Sequence, residues 1–192
     1  MKSIIISIRP EWVRNILNGD KTIEVRKGLA LYNALEKAEE NGEDIDFLMY
    51  VTKDPKHILK ECSNDRLGKW FAAIFPNYKD PILGLVETGE PLNGKIVAKF
   101  KAKAEVIKYH NHRNLDDWSG YYIDRGEKVG IGEIELCESS CLNHRQLDDY
   151  LQEKRGTALH IEDLEIFGTP KTLADFGLKR APQSWCYTQK VK

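Results

Sequence analysis

Cysteine is scarce: four residues, Cys62, Cys137, Cys141 and Cys186, are scattered through 192 positions. That spacing gives no disulfide scaffold, and reduced thiols follow. Long apolar runs are missing too, since none approaches the ~20 residues that cross a bilayer. The opening MKSIIISIRPEW has too short an apolar stretch, and no small-residue cleavage site, for a secretory signal. The expectation is a cytoplasmic protein with no membrane partner. Charge of one sign is also absent: 29 Lys and Arg stand against 30 Asp and Glu, a net charge of −1. A global basic field for nucleic acid is thereby excluded, and any basic footprint has to be local. There is no P-loop, no G-x-G-x-x-G, no G-x-S-x-G and no His-Glu-x-x-His. Nothing therefore points to nucleoside triphosphate, dinucleotide, serine-hydrolase or zinc-protease chemistry, and no cofactor is expected.

What is present is a globular mixture, 41% hydrophobic and 31% charged, of a length that suits one domain with a sizeable core. Ile4, Ile6 and Ile8 alternate and predict a strand. Pro10 suits the first position of a helix carrying Trp12, Val13, Ile16 and Leu17, with Gly19 at its C-terminal cap. KTIEVR follows as a strand, with Ile23 and Val25 on one face and Thr22, Glu24 and Arg26 on the other. Leu31, Tyr32, Leu35 and Ala38 predict a second helix, closed near Gly42. DFLMYVTK is apolar on both faces and predicts a central strand.

Further along, Asp54-Pro55 reads as the start of a helix bearing Ile58, Leu59 and Cys62. Leu67, Trp70, Phe71 and Ile74 continue the helical spacing. Pro76 to Gly94 reads as loop, ending in the hairpin-type turn Asn93-Gly94. KIVAKFKAKAEVIKY is the clearest strand. Asn143, with Gln146 three residues on, predicts a capping box for a helix with Leu147, Tyr150 and Leu151, ending at Gly156. ALHIEDLEIF and SWCYT read as the last strands. Short strands mixed with helices make this an α+β protein built on a sheet or small barrel.

Chemistry concentrates in LNGDKTIEVRK, residues 17 to 27. An arginine fork suits a phosphate or a base edge, and a carboxylate suits an exocyclic amine. Lys21, Glu24 and Arg26 are thus either the floor of a site or a salt-bridged strand face of little energetic weight. Lys21 would serve as a general base only if its pKa fell, which burial or neighbouring cations can cause. Arg9, just before the first helix, is either a phosphate contact beside the helix amides or a surface residue. Lys95, Lys99, Lys101, Lys103 and Lys108 form either a phosphate-tracking row or a solvated, edge-protecting one. The stretch YHNHRNLDDWSGYY interleaves aromatics and cations as base-stacking surfaces do, diluted by Asp116 and Asp117. His110 and His112 with Cys137 and Cys141 lack the close pairing of structural zinc sites, so no metal is expected.

ISIRPEWVRNILNGDKTIEVRK resembles the opening of ASCH domains, which belong to the PUA-like superfamily; the shared core is G-x-K-T-x-E-x-R. MYVTK, PLNGKIVAKF, ALHIEDLEIFGTPKTLADF and RAPQSWCY resemble the larger ASCH proteins of bacteria and their phages. The resemblance implies one domain over 1–192, a small mixed β-barrel with flanking helices and insertions at about 28–44 and 109–130. It implies a charged cleft beside the first helix that binds RNA or a nucleotide through Arg9, Lys21, Thr22, Glu24, Arg26 and His160. A small ASCH member hydrolyses the acetyl amide of N4-acetylcytidine with a motif Lys, a motif Thr and a distant Glu. The Lys corresponds to Lys21, whereas the Thr position holds Glu24 and the distant Glu has no clear counterpart, Glu138 being near its expected place. The alternative expectation is therefore an amidohydrolase with Lys21 and Glu24 as catalytic residues, and a third is a protein-interaction accessory.

Overall fold

The computed structural model describes residues 2–64, 69–76, 87–111, 119–125 and 130–189. In chain order the elements are β1 (Lys2–Ile8), α1 (Pro10–Leu17), β2 (Ile23–Lys27), α2 (Ala30–Glu40), β3 (Ile45–Val51), β4 (Ile58–Asn64) and β5 (Lys69–Phe75). There follow β6 (Glu87–Pro91), β7 (Ile96–His110), β8 (Gly120–Ile123), α3 (Glu133–Ser140), α4 (His144–Leu151), β9 (Gly156–Lys171), a 3-10 turn (Ala174–Phe176) and β10 (Trp185–Gln189). Contacts divide the chain into two compact units: residues 1–20, 45–101 and 163–192 form the first, and 21–44 and 102–162 the second.

In the first unit the strand order runs β10-β1-β3-β7. β1 is parallel to β3 and antiparallel to β10, and β3 is antiparallel to β7. β1 alternates as expected at Ile4, Ile6 and Ile8, but Ile5 is fully buried as well. The second face has its own core, where Ile5, Leu48, Tyr50 and Ile96 pack against Phe167, Leu173, Phe176 and Leu178. Phe47 stacks on Phe100 at 5.1 Å between ring centroids. Gly19, at φ +83°, follows α1 and donates its N–H to the Ile16 carbonyl, the left-handed helix ending expected of glycine.

The helices expected after Asp54-Pro55 and through Trp70 are strands. β5-β4-β6 is a separate antiparallel sheet. Ile58 and Cys62, and likewise Phe71 and Phe75, are four residues apart, a spacing that suits one helix face and one strand face equally. Their partners decide the matter: Ile58, Cys62, Phe71, Ala73 and Phe75 share one apolar cluster, and in β5 its members alternate. Asp54 does cap, but it caps a tight turn, accepting the Lys56 N–H at 2.8 Å. The expected loop from Pro76 to Gly94 contains β6, and Asn93-Gly94 is a turn without a hairpin, because β6 pairs with β4. Leu67 lies outside the described residues.

In the second unit β2 pairs antiparallel with β9, and β8 with β7. Ile23, Val25, Ile107, Tyr121, Ile123, Leu136, Leu147, Leu151 and Ala158 form its core. α4 begins with the expected capping box, Asn143 with Gln146, but ends at Gln152 and Glu153, both with positive φ, rather than at Gly156, which opens β9. α3 was not legible as a helix. The architecture is α+β, with one mixed sheet and one antiparallel sheet. The strand order ends openly at β10 and β2 among the described residues, so it is not a closed barrel. No described helix is long and apolar enough to cross a membrane.

Candidate functional site

Lys21, Glu24 and Arg26 converge in the second unit. Lys21 Nζ lies 3.3 Å from Glu24 Oε2, and Arg26 Nη2 lies 3.0 Å from Glu24 Oε1. The side chains are 2%, 8% and 11% exposed respectively, so the group is desolvated rather than splayed on a surface. Lys21 Nζ also donates to the Ser140 carbonyl at 2.6 Å, and the Thr22 N–H donates to the Ser139 carbonyl at 2.9 Å. These carbonyls end α3, where a helix has acceptors without partners and a cation is favoured. Burial pushes the Lys21 amine below its usual pKa, and the Glu24 carboxylate opposes that shift.

The β2–β9 register decides what shares a face with this trio. Glu24 stands opposite Leu159 and Arg26 opposite Thr157, while Ile23 stands opposite His160 and Val25 opposite Ala158. Directly opposed residues project to the same side of a sheet. His160 therefore belongs to the Ile23–Val25 face, not to that of Glu24 and Arg26. Its Nε2 lies 2.6 Å from Glu105 Oε2, and Arg125 grips the same carboxylate at 2.8 and 2.9 Å. Thr22 is exposed. Arg9 is an exposed residue of the first unit, at the N-cap of α1 with no side-chain cap bond. The close approach of β9 to β2 depends on Gly156, opposite Lys27. A Cβ there would sit 3.0 Å from the Arg26 carbonyl oxygen and 2.9 Å from Leu151.

Of the lysine row, Lys99 pairs with Glu165 and Lys108 with Asp124. His112 and the middle of the aromatic stretch, residues 112–118, lie outside the described residues. α3 also lines a cavity of about 430 Å³, together with Ser119 and His144. Glu133, on its wall, contacts His144 Nδ1 and accepts the Tyr121 N–H at 2.9 Å. Glu138 lines the cavity and is exposed. Sequence reasoning missed this wall because the buried side of α3 is Glu133, Leu136 and Ser140. Leu136 is the one large apolar residue on that side, Ile134 being exposed, so no helical period can be read.

The α+β fold, with its open mixed sheet, is that of ASCH domains. Solved structures of this fold include ASCH from Zymomonas mobilis, at TM-score 0.51 and 15% identity over 98% of this chain and 88% of that one. A single-substitution mutant of the same protein gives TM-score 0.51 and 14% identity over 99% and 92%. No protein-family model matches the sequence, and no curated protein matches it.

Proposed function

We propose that this ASCH-fold protein binds RNA or a nucleotide, with Lys21, Glu24 and Arg26 forming the recognition group. The observation that carries the reading is the single carboxylate of Glu24 held between two buried cations. Two cations and one carboxylate leave a formal surplus of one positive charge among them. In a desolvated setting that surplus attracts an anion far more strongly than it would in water. Arg26, the most accessible of the three, supplies the fork that a phosphate or a guanine edge accepts. Exposed Thr22, next to Lys21 in sequence, adds a hydroxyl, and exposed Arg9 a separate phosphate contact on the first unit. His160, on the other face of β2–β9, has no part in this group.

The test is fluorescence anisotropy with a mixed-sequence single-stranded RNA over a salt series. Affinity should fall as salt rises, and Arg26→Ala should weaken it and flatten the salt slope. No retention at low ionic strength would overturn the proposal. A second reading, amide hydrolysis of an acylated nucleoside such as N4-acetylcytidine, draws support from the lowered Lys21 pKa. A lysine amine that loses its proton more readily than an exposed one is better suited to take a proton from an attacking water. Incubation with that nucleoside, read by chromatography for cytidine, distinguishes the two. Product that disappears in a folded Lys21→Ala variant favours hydrolysis, and none from the intact protein eliminates it.

A further inference from the structure

We propose that Glu11, Asp54 and His57, all in the first unit, bind a divalent metal ion of the zinc class. One carboxylate oxygen from each acid and one ring nitrogen of His57 lie within 4.8 Å of one another. Glu11 comes from the first turn of α1, and the other two from the connection between β3 and β4. Zinc binds oxygen and imidazole nitrogen at about 2.0–2.2 Å, so ligands of one ion sit up to roughly 4 Å apart. A small side-chain rotation closes the difference.

A second observation bears on this cluster. Glu11 Oε2 is buried and has no hydrogen-bond partner. A desolvated carboxylate oxygen without a donor is costly, and a cation removes that cost. The neighbouring acid is already held in place: Asp54 Oδ1 accepts the Lys56 N–H at 2.8 Å, and Oδ2 lies 2.8 Å from His57 Nδ1. Backbone support of this kind orients a ligand before the ion arrives. The His57 side chain is 49% exposed, which leaves the site open to entry. An imidazole among the donors favours zinc-type ions over calcium or magnesium, which prefer oxygen alone. Three protein ligands leave one tetrahedral position for water, the arrangement of an open rather than a closed zinc site. The three residues follow no metal-binding motif in the sequence, because Glu11 is far from the Asp54–His57 pair along the chain.

Cobalt(II) is the probe of choice, because its visible absorption reports coordination, and thiolate ligation adds a separate charge-transfer band that would betray binding at the four cysteines. The intact protein should take up one equivalent saturably, show no thiolate band, and release the cobalt when zinc is added. Glu11→Gln and His57→Ala should each weaken uptake by at least roughly 100-fold, since even residues that merely support a ligand cost 10–100-fold. Far-UV circular dichroism confirms that the variants are folded, and exposed His57 makes that variant the safer of the two. No saturable uptake, uptake with a thiolate band, or unchanged affinity in folded His57→Ala would each overturn the assignment.

Discussion

Lys21 Nζ sits 3.3 Å from Glu24 Oε2, and both side chains are more than nine-tenths buried. Removing one member of a buried ion pair strands the other, which costs about 3–5 kcal/mol. Glu24 is the worse loss, since it neutralises Arg26 as well. Glu24→Ala should therefore lower stability by about 3 kcal/mol or more, read from urea midpoints. Lys21→Met combined with Glu24→Leu should recover the share of that loss due to Lys21 and leave the share due to Arg26. A drop under ~1 kcal/mol for Glu24→Ala would mean the pair behaves as an exposed one.

The same burial fixes a sign for the pH dependence. The folded-state pKa of Lys21 is below its ordinary value of 10.5. Between those two values the unfolded chain binds more protons at this site than the folded one. The contribution of Lys21 to stability therefore rises with pH across that window and is level on either side. Stability of the wild type minus that of Lys21→Met should climb as pH approaches 10.5. A difference that falls over the same range would mean that Glu24 dominates over burial.

The convergence of Lys21, Glu24 and Arg26 was legible because a strand alternates: residues 24 and 26 share a face by geometry alone, and the preceding turn brings Lys21 back to it. The strands at Ile23 and Ile96 were legible for the same reason, and the one at Phe47 because its run is apolar on both faces. His160 was not, because its face depends on the register between β2 and β9, which only pairing fixes; one residue of slip would move it across. β4 and β5 were misread because apolar residues four apart satisfy both periodicities. The Glu11–Asp54–His57 cluster was invisible for a different reason: proximity between α1 and a later turn is tertiary information, and neither segment carries a metal signature alone.

Tyr121 offers a cleaner single-atom test. Its hydroxyl accepts the Glu153 N–H at 2.8 Å and donates to Asp148 Oδ1 at 3.1 Å. Burial, reinforced by Asp148, pushes its pKa up to about 12. Ultraviolet titration should therefore find Tyr121 still protonated after exposed tyrosines have ionised. Tyr121→Phe should cost about 1–3 kcal/mol, because the Glu153 amide loses its acceptor where the helix ends. Glu153 has φ +56°, so that turn depends on what holds it. A stability change within ~0.5 kcal/mol, the range of ordinary surface substitutions, would show that water replaces the hydroxyl freely.

Glu105 gives the opposite pH sign from Lys21. Its carboxyl is held below its ordinary 4.5, first by the Arg125 hydrogen bonds and then by His160. A carboxylate with a depressed folded pKa contributes stability above its unfolded value, and that contribution is lost as pH falls through the folded one. Arg125→Ala removes the larger cause. The Arg125 side chain is 38% exposed, so solvent screening keeps the neutral-pH cost below ~1 kcal/mol despite the two-point grip. The gap between wild type and Arg125→Ala should be present at neutral pH and close in acid, once Glu105 is protonated in both. Carboxyl chemical shifts followed by NMR should show the Glu105 midpoint moving up in the variant. His160→Gln should move it less, because the histidine is the smaller cause. If the stability gap persists unchanged at acid pH, Arg125 acts through packing of its stem rather than through the charge of Glu105.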